Sequence, residues 1–338
     1  MRKGFIVDLD GTMWYRDNDK TLPIEGASLF ISKVQHQMIA VSNTGEKTGK
    51  QVTEKVLSMF GFSVDALTAL DHLALRLQEA NFKEIQVISN AESWKTCIPE
   101  GRTFGYRGLQ QDESGTCIAF CSDGLIPGDY QDLQIKLRDY LMRGASVWVT
   151  SLDETLTVLE EGVKKFVPGP GQFIKAVLQL VPQEVSVRCF GKGANEKMAA
   201  SAVDRLKKRG CEKIIFIGDN LQTDIREGHS FKSTTVHVLT GCHGFEERKR
   251  DIPHVVADSI LEVAMLLDDI DDNGKFSRVV RCIMGGVHCT FGSTSDYLQT
   301  KLNLVEQFLW PVPQRLTAAT RARSVSVPVN LSYWAKHD

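Results

Sequence analysis

The chain has 338 residues, 42% hydrophobic and 24% charged, with a formal net charge of −2. That length suits two domains, the composition is that of an ordinary globular protein, and the near-neutral balance excludes the basic footprint of a nucleic-acid binder. Eight scattered cysteines with no CxxC pair, no apolar run approaching the roughly 18 residues of a membrane span, and no signal-peptide pattern at the start predict a cytoplasmic protein with reduced thiols that does not engage a membrane.

Strand and helix patterns alternate along the chain. Residues 4–7 form an apolar run that reads as a buried strand and stops at Asp8-Leu9-Asp10-Gly11-Thr12. A second run, Met38-Ile39-Ala40-Val41, stops at Ser42-Asn43-Thr44, and a helix follows with Val52, Val56, Leu57 and Phe60 on one face and Gly61 as its stop. The next helix is expected near Asp65, carrying Leu67, Leu70, Leu73, Ala74 and Leu77. Residues 85–88, 117–120 and 146–149 read as strands, with a helix through Tyr130, Leu133, Leu137 and Tyr140 between the last two. Pro168-Gly169-Pro170-Gly171 leads into a helix with Phe173, Ile174 and Val177. A strand then ends at Gly191-Lys192-Gly193, a helix carries Met198, Ala202, Val203 and Leu206, and the apolar run Ile214-Ile215-Phe216-Ile217 stops at Gly218-Asp219-Asn220. Strands alternating with helices predict a parallel sheet with helices on both faces. Beyond 271 the alternation fades, and 311–338 reads as coil.

Four of these strands end in polar, reactive residues, and ligands of open α/β sheets sit beyond the carboxyl ends of their strands. Asp8 and Asp10 are two residues apart, so both carboxylates can face one pocket. Two such carboxylates call for a cation, and Mg²⁺ suits an all-oxygen site that also takes a phosphate. Gly11, next in the chain, permits a sharp turn and the close backbone approach that a phosphate needs. Ser42, Asn43 and Thr44, between a strand and a helix, can hold phosphate oxygens or simply cap the helix. Lys192 supplies a positive charge or is a surface lysine, and Asp219 and Asp224 complete a metal site or cap the following helix.

Each piece has a plainer structural explanation; their order along the chain does not. Asp8-Leu9-Asp10-Gly11-Thr12, Ser42, Lys192 and Gly218-Asp219-Asn220 with Asp224 together resemble the four motifs of the haloacid dehalogenase (HAD) superfamily. The long segment between the second and third motifs is similar to that of subfamily IIA, which includes p-nitrophenyl phosphatase-like, pyridoxal phosphate and phosphoglycolate phosphatases. The resemblance implies an α/β fold: a Rossmann-like parallel-sheet core at 1–79 and 186–270, with an inserted α/β cap of the C2 type at 80–185. An extension at 271–338 would follow. It implies a Mg²⁺-dependent phosphatase for a small phosphorylated metabolite, with Asp8 as nucleophile and Asp10 as general acid and base. Ser42 and Lys192 would grip the phosphoryl group, while Asp8, the Asp10 carbonyl, Asp219 and Asp224 would serve the metal. Two departures stand out: Ser151, where the family cap segment usually has Asn, and Gly193, where proline usually follows the lysine and whose effect is expected to be a looser helix start. The alternatives are a non-catalytic phosphate- or metal-binding protein on the same scaffold and a phosphotransferase with an acceptor other than water.

Weaker patterns lie in the tail. Asp269-Ile270-Asp271-Asp272-Asn273-Gly274 copies half of an EF-hand loop, but Val280 stands at the twelfth position and cannot ligate. Cys282, His288 and Cys289 lack a fourth zinc ligand and read better as buried thiols. Helical spacing of Leu302, Val305 and Leu309 predicts a helix packed on the core or on a second subunit, which leaves a homodimer open.

Overall fold

The computed structural model describes residues 2–17, 20–107, 112–124, 130–160, 163–181, 185, 187–194, 196–242 and 253–267, with the strands 280–284 and 287–291. Met1–Pro253 with Ala257–Ala264 make one compact unit; His254–Val256 with Met265–Asp338 make another. The patterns at 269–274 and 298–309 and the coil at 311–338 fall outside the described residues.

The first unit opens with β1 (Lys3–Val7), a hairpin of β2 (Trp14–Asp17) and β3 (Lys20–Pro23), then α1 (Ala27–Val34), β4 (Met38–Ser42), α2 (Gly49–Phe60), β5 (Asp65–Thr68) and α3 (Ala69–Glu79). It continues through β6 (Glu84–Ile88), α4 (Trp94–Cys97), β7 (Arg102–Thr103), β8 (Thr116–Phe120), α5 (Tyr130–Met142), β9 (Ser146–Val149), β10 (Thr155–Glu160), β11 (Val163–Pro168) and α6 (Pro170–Gln179). The chain returns through β12 (Val187–Cys189), α7 (Ala200–Lys208), β13 (Lys213–Gly218), α8 (Arg226–Ser230) and β14 (Thr234–Val238).

The main sheet runs β14-β13-β1-β4-β5 with every pair parallel. Its central strands are apolar without alternation, and β4 is buried at all five positions, as a strand covered on both faces must be. From β1 the chain builds outward to β4 and β5 on one side and later returns to β13 and β14 on the other. The strand order therefore reverses between β1 and β13, where α/β sheets open a ligand crevice.

A second parallel sheet runs β12-β9-β8-β6-β7. Leu70, Leu73 and Leu77 of α3 and Trp94 of α4 pack with Val87, Ala119 and Trp148 in one of its cores. Leu137 and Tyr140 of α5 and Phe173 and Ile174 of α6 pack with Phe120 and Val149 in the other. A third, four-stranded sheet runs β11-β10-β2-β3, in which the β10–β11 hairpin joins the β2–β3 hairpin that follows Asp10.

Three local differences from the pattern reading have clear causes. Residues 65–68 pair with β4 as a strand, and the helix begins only after Thr68, whose side chain accepts the Asp71 N–H. The strand leading to Lys192 pairs with β9 in the second sheet, so the site draws on the ends of strands from two sheets. Gly193 sits at φ +73, and α7 starts at Ala200, so Gly193 makes a turn rather than a loosened helix start. Proline, locked near φ −65°, cannot take that conformation.

In the second unit, Val280–Met284 and Val287–Phe291 form an antiparallel hairpin where the pattern predicted none, with Cys282 in register with Cys289 and His288 opposite Ile283. No helix among the described residues is long and apolar enough to cross a membrane.

Candidate active site

The backbone leaving β1 stays in the sheet for one more residue, with Asp8 N–H donating to the Ile217 carbonyl at 2.9 Å. It then turns tightly: the N–H groups of Thr12, Met13 and Trp14 all donate to the Leu9 carbonyl. Gly11 makes this turn at φ +78, and a Cβ there would press on the Asp219 carboxylate. The turn keeps Asp8 buried at the strand end while Asp10 faces the β2–β3 hairpin.

Lys192 connects the second sheet to this point. Its buried ammonium donates to Asp8 Oδ1 and to Asp224 Oδ1, the latter at 2.6 Å. Asp219 leaves the end of β13, where its carboxylate accepts the Cys242 N–H at 2.6 Å. A Cβ on Gly241 would collide with that carboxylate. A π-helical turn at Leu221–Ile225 brings Asp224 back, and its carboxylate accepts the Asn220 N–H at 3.1 Å.

One carboxylate oxygen each from Asp8, Asp219 and Asp224 lies within 4.8 Å of the others, and all three residues are buried. One ammonium among three carboxylates leaves excess negative charge. Burial, with the neighbouring Asp8 and Asp224, drives the Asp219 carboxyl well above its usual range. Burial raises Asp224 to about 7 despite the opposing pull of Lys192. Burial also opposes the Lys192 charge, but Asp224 and Asp8 outweigh it and hold the ammonium well above its usual value. A hard, oxygen-seeking divalent cation fits this donor set.

Asp10 stands apart from that cluster. Arg16 grips it with two hydrogen bonds, at 2.9 and 3.0 Å, and Trp14 Nε1 donates a third at 2.9 Å. Burial works against its ionisation, yet the guanidinium prevails and brings the carboxyl down to about 2.

Ser42 at the end of β4, with Asn43 and Thr44 after it, lines the same pocket. Ser42 Oγ accepts the Thr44 N–H at 3.3 Å, and Thr44 Oγ1 donates to Asp123 at 2.7 Å. Asn43 joins the two sheets by accepting the Lys192 N–H at 2.6 Å and donating to Asp153 at 2.9 Å. The structure thus brings Asp8, Asp10, Ser42, Asn43, Thr44, Lys192, Asp219 and Asp224 to one pocket, with Gly11 in the turn beneath Asp219.

Four further residues were missed. Asp123 receives Thr44 Oγ1, the Gly45 N–H at 2.6 Å and Arg16 at 3.0 Å. It follows β8, so the strand-end rule that found Asp8 and Asp219 would have found it too. Asp153 lies just past β9 by the same rule, whereas Arg16 carried no such signal. Glu227 of α8 is the fourth: its buried carboxylate accepts the N–H of Gly193 at 3.0 Å and of Ala199 at 2.8 Å. It clamps both ends of the loop that presents Lys192. Gly193 has an N–H that a proline would lack, and Glu227 satisfies it. Glu227→Ala is expected to lower kcat by roughly 10- to 10²-fold, since small misplacements of a positioned charge are costly. Steady-state kinetics on the purified variant checks this, and an unchanged kcat would rule out a positioning role.

The HAD-hydrolase-like family profile matches residues 191–263. An acid sugar phosphatase of Staphylococcus haemolyticus is 27% identical over 73% of this chain and 89% of its own length. A 5′-nucleotidase of Bacillus subtilis is 23% identical over 77% of this chain and 96% of its own. A crystal structure of glycerol phosphate phosphatase from Mycobacterium tuberculosis in complex with magnesium shares the fold, with TM-score 0.62 and 18% identity over 95% of this chain and 94% of that one. With four motifs in order at the strand ends of this fold, the chain is similar to haloacid dehalogenase-type hydrolases, and the family match itself spans residues 191–263.

Proposed function

We propose that the chain is a magnesium-dependent phosphatase that hydrolyses small phosphorylated metabolites through an aspartyl-phosphate on Asp8. The observation that carries this reading is the buried group of Asp8, Asp219 and Asp224 around Lys192, with Asp10 beside it on the opening of the pocket. The phosphatase names of the acid sugar phosphatase and glycerol phosphate phosphatase relatives support it. Asp8, Asp219 and the Asp10 carbonyl would hold Mg²⁺, with Asp224 supporting. When bound, the ion supplies positive charge to the transferring phosphoryl oxygens and to the crowded carboxylates.

In the first half-reaction an Asp8 oxygen bonds to phosphorus as the bond to the leaving oxygen breaks. Asp10 gives that oxygen its proton. In the second, Asp10 takes a proton from water, the water oxygen bonds to phosphorus, and Asp8 and phosphate are released. Lys192, Ser42 and the backbone around Asn43 and Thr44 hold the phosphoryl oxygens, whose charge spreads in the transition state. Asp10 gripped by Arg16 is ionised, as the second half-reaction needs. For the first half, Asp10 carries a proton and Arg16 releases it as the leaving group enters.

The second sheet and the β10–β11 hairpin, roughly 80–190, act as the cap that excludes water. The free thiols of Cys97, Cys117, Cys121, Cys189, Cys211 and Cys242 suit a cytoplasmic setting. Phosphate release from a panel of esters tests the reading: release is expected with Mg²⁺, absent with chelator, and restored by added Mg²⁺. Full release in chelator would remove the metal from the mechanism, and none from any ester would favour a binding protein.

A further inference from the structure

The hydrogen bonds that hold Asp10 do not fall evenly on its two oxygens. Oδ1 accepts Trp14 Nε1 and Arg16 Nε, both at 2.9 Å, while among the described residues Oδ2 accepts only Arg16 Nη2, at 3.0 Å. A carboxylate oxygen has room for two donors. Oδ1 is therefore full, and Oδ2 keeps one open position on a residue that lines the pocket.

The guanidinium that sets this arrangement is itself anchored. Arg16 Nη2 also donates to Asp123 Oδ2 at 3.0 Å. Asp123, buried past the end of β8, is fixed in turn by the loop after β4. Its Oδ1 accepts the Gly45 N–H at 2.6 Å, its Oδ2 accepts Thr44 Oγ1 at 2.7 Å, and its N–H donates to Glu46 Oε1 at 3.1 Å. A polar connection thus runs from the loop beside Ser42, through Asp123 and Arg16, to Asp10. Stability alone would not call for it, since partly exposed pairs such as Arg16 with Asp10 contribute little. A planar fork that meets both oxygens of a carboxylate fixes its orientation.

We propose, building on the phosphatase reading above, that Arg16 and Asp123 are positioning residues for the second half-reaction, holding Asp10 so that Oδ2 takes the proton of the attacking water. In that step the water oxygen bonds to phosphorus. The bond from Asp8 to phosphorus breaks with its electron pair returning to Asp8, and the water proton passes to Asp10 Oδ2. The first half-reaction does not use this hold, because Arg16 lets go of Asp10 as the leaving group enters.

p-Nitrophenyl phosphate with Mg²⁺ separates the two halves, because its leaving group departs as a stable anion and needs no proton. Its kcat/KM reports formation of the aspartyl-phosphate, and its kcat includes the hydrolysis. Arg16→Gln is expected to lower kcat by roughly 10²-fold while kcat/KM changes by less than about threefold. Arg16→Lys keeps the charge but loses the fork, so it should fall as far. Asp123→Asn should lower kcat by at least about tenfold with the same bias. Each variant should release a burst of nitrophenol equal to the enzyme present, and acid-quenched samples should show the phosphate adduct by intact mass. Unchanged kcat in Arg16→Gln would overturn the inference, and so would wild-type kcat in Arg16→Lys. Equal loss of kcat and kcat/KM with no trapped adduct would also overturn it, leaving Arg16 and Asp123 a merely structural role. Thermal melting identifies an unfolded variant, and the partly exposed Arg16 decides the matter if Asp123→Asn does not fold. A wild type inactive on every ester sinks the phosphatase reading and this inference together, whereas the other adverse results sink this inference alone.

Discussion

Asp8→Asn is expected to lower metal-dependent phosphate release by at least roughly 10⁴-fold while leaving the fold in place. The amide keeps the size of the carboxylate but lacks the anionic oxygen that must bond to phosphorus. No other carboxylate can take over: Asp219 is anchored by Cys242 N–H, Asp224 by Lys192 and the Asn220 N–H, and Asp10 by Arg16. The loss should appear in kcat. Stability should not suffer, because the substitution removes one of three crowded buried carboxylates and Lys192 keeps its Asp224 partner. Phosphate release and thermal melting on the same preparation separate these effects. Intact metal-dependent turnover would show that Asp8 is not the nucleophile, and a collapsed melt would mean the assay had measured unfolding.

The parts of this site that were legible share one geometry. Asp8, Ser42 and Asp219 each follow an apolar run directly, so the run gave the strand and the strand end gave the pocket. Lys192 was singled out at a strand end but assigned to the wrong sheet, because a short strand such as Val187–Cys189 does not record which neighbour it pairs with. Arg16 was hidden because Trp14-Tyr15-Arg16-Asp17 has no clear alternation and the sequence after it carries no Asn-Gly pair. The strand at 65–68 was absorbed into a helix because Leu67, Leu70 and Leu73 fall at helical spacing. The capping pair Thr68 and Asp71 marked the true start. Glu227 was out of reach on any local rule, since its partners lie 34 and 28 residues earlier in the chain.

Lys192→Met is the more demanding expectation, since it predicts loss of both activity and stability with a defined dependence on metal and pH. Methionine fills the volume but leaves Asp8, Asp219 and Asp224 buried with no cation. Removing one partner of a buried ion pair costs about 3–5 kcal/mol. In chelator at neutral pH the variant should therefore melt well below wild type, and Mg²⁺ should recover part of the difference by returning positive charge. The pH dependence has a fixed sign. Asp219 and Asp224 hold their protons more tightly folded than unfolded, so their protonated forms favour folding and stability falls as pH rises towards about 7, the value for Asp224. Removing Lys192 takes away the attraction that opposes this rise, so the gap between variant and wild type in chelator should widen from pH 5 to pH 8. Activity at saturating Mg²⁺ should fall by roughly 10²- to 10³-fold, the scale for losing one preorganised charge at a transferring group. A gap that narrows as pH rises would mean that the three carboxylates are not what Lys192 restrains.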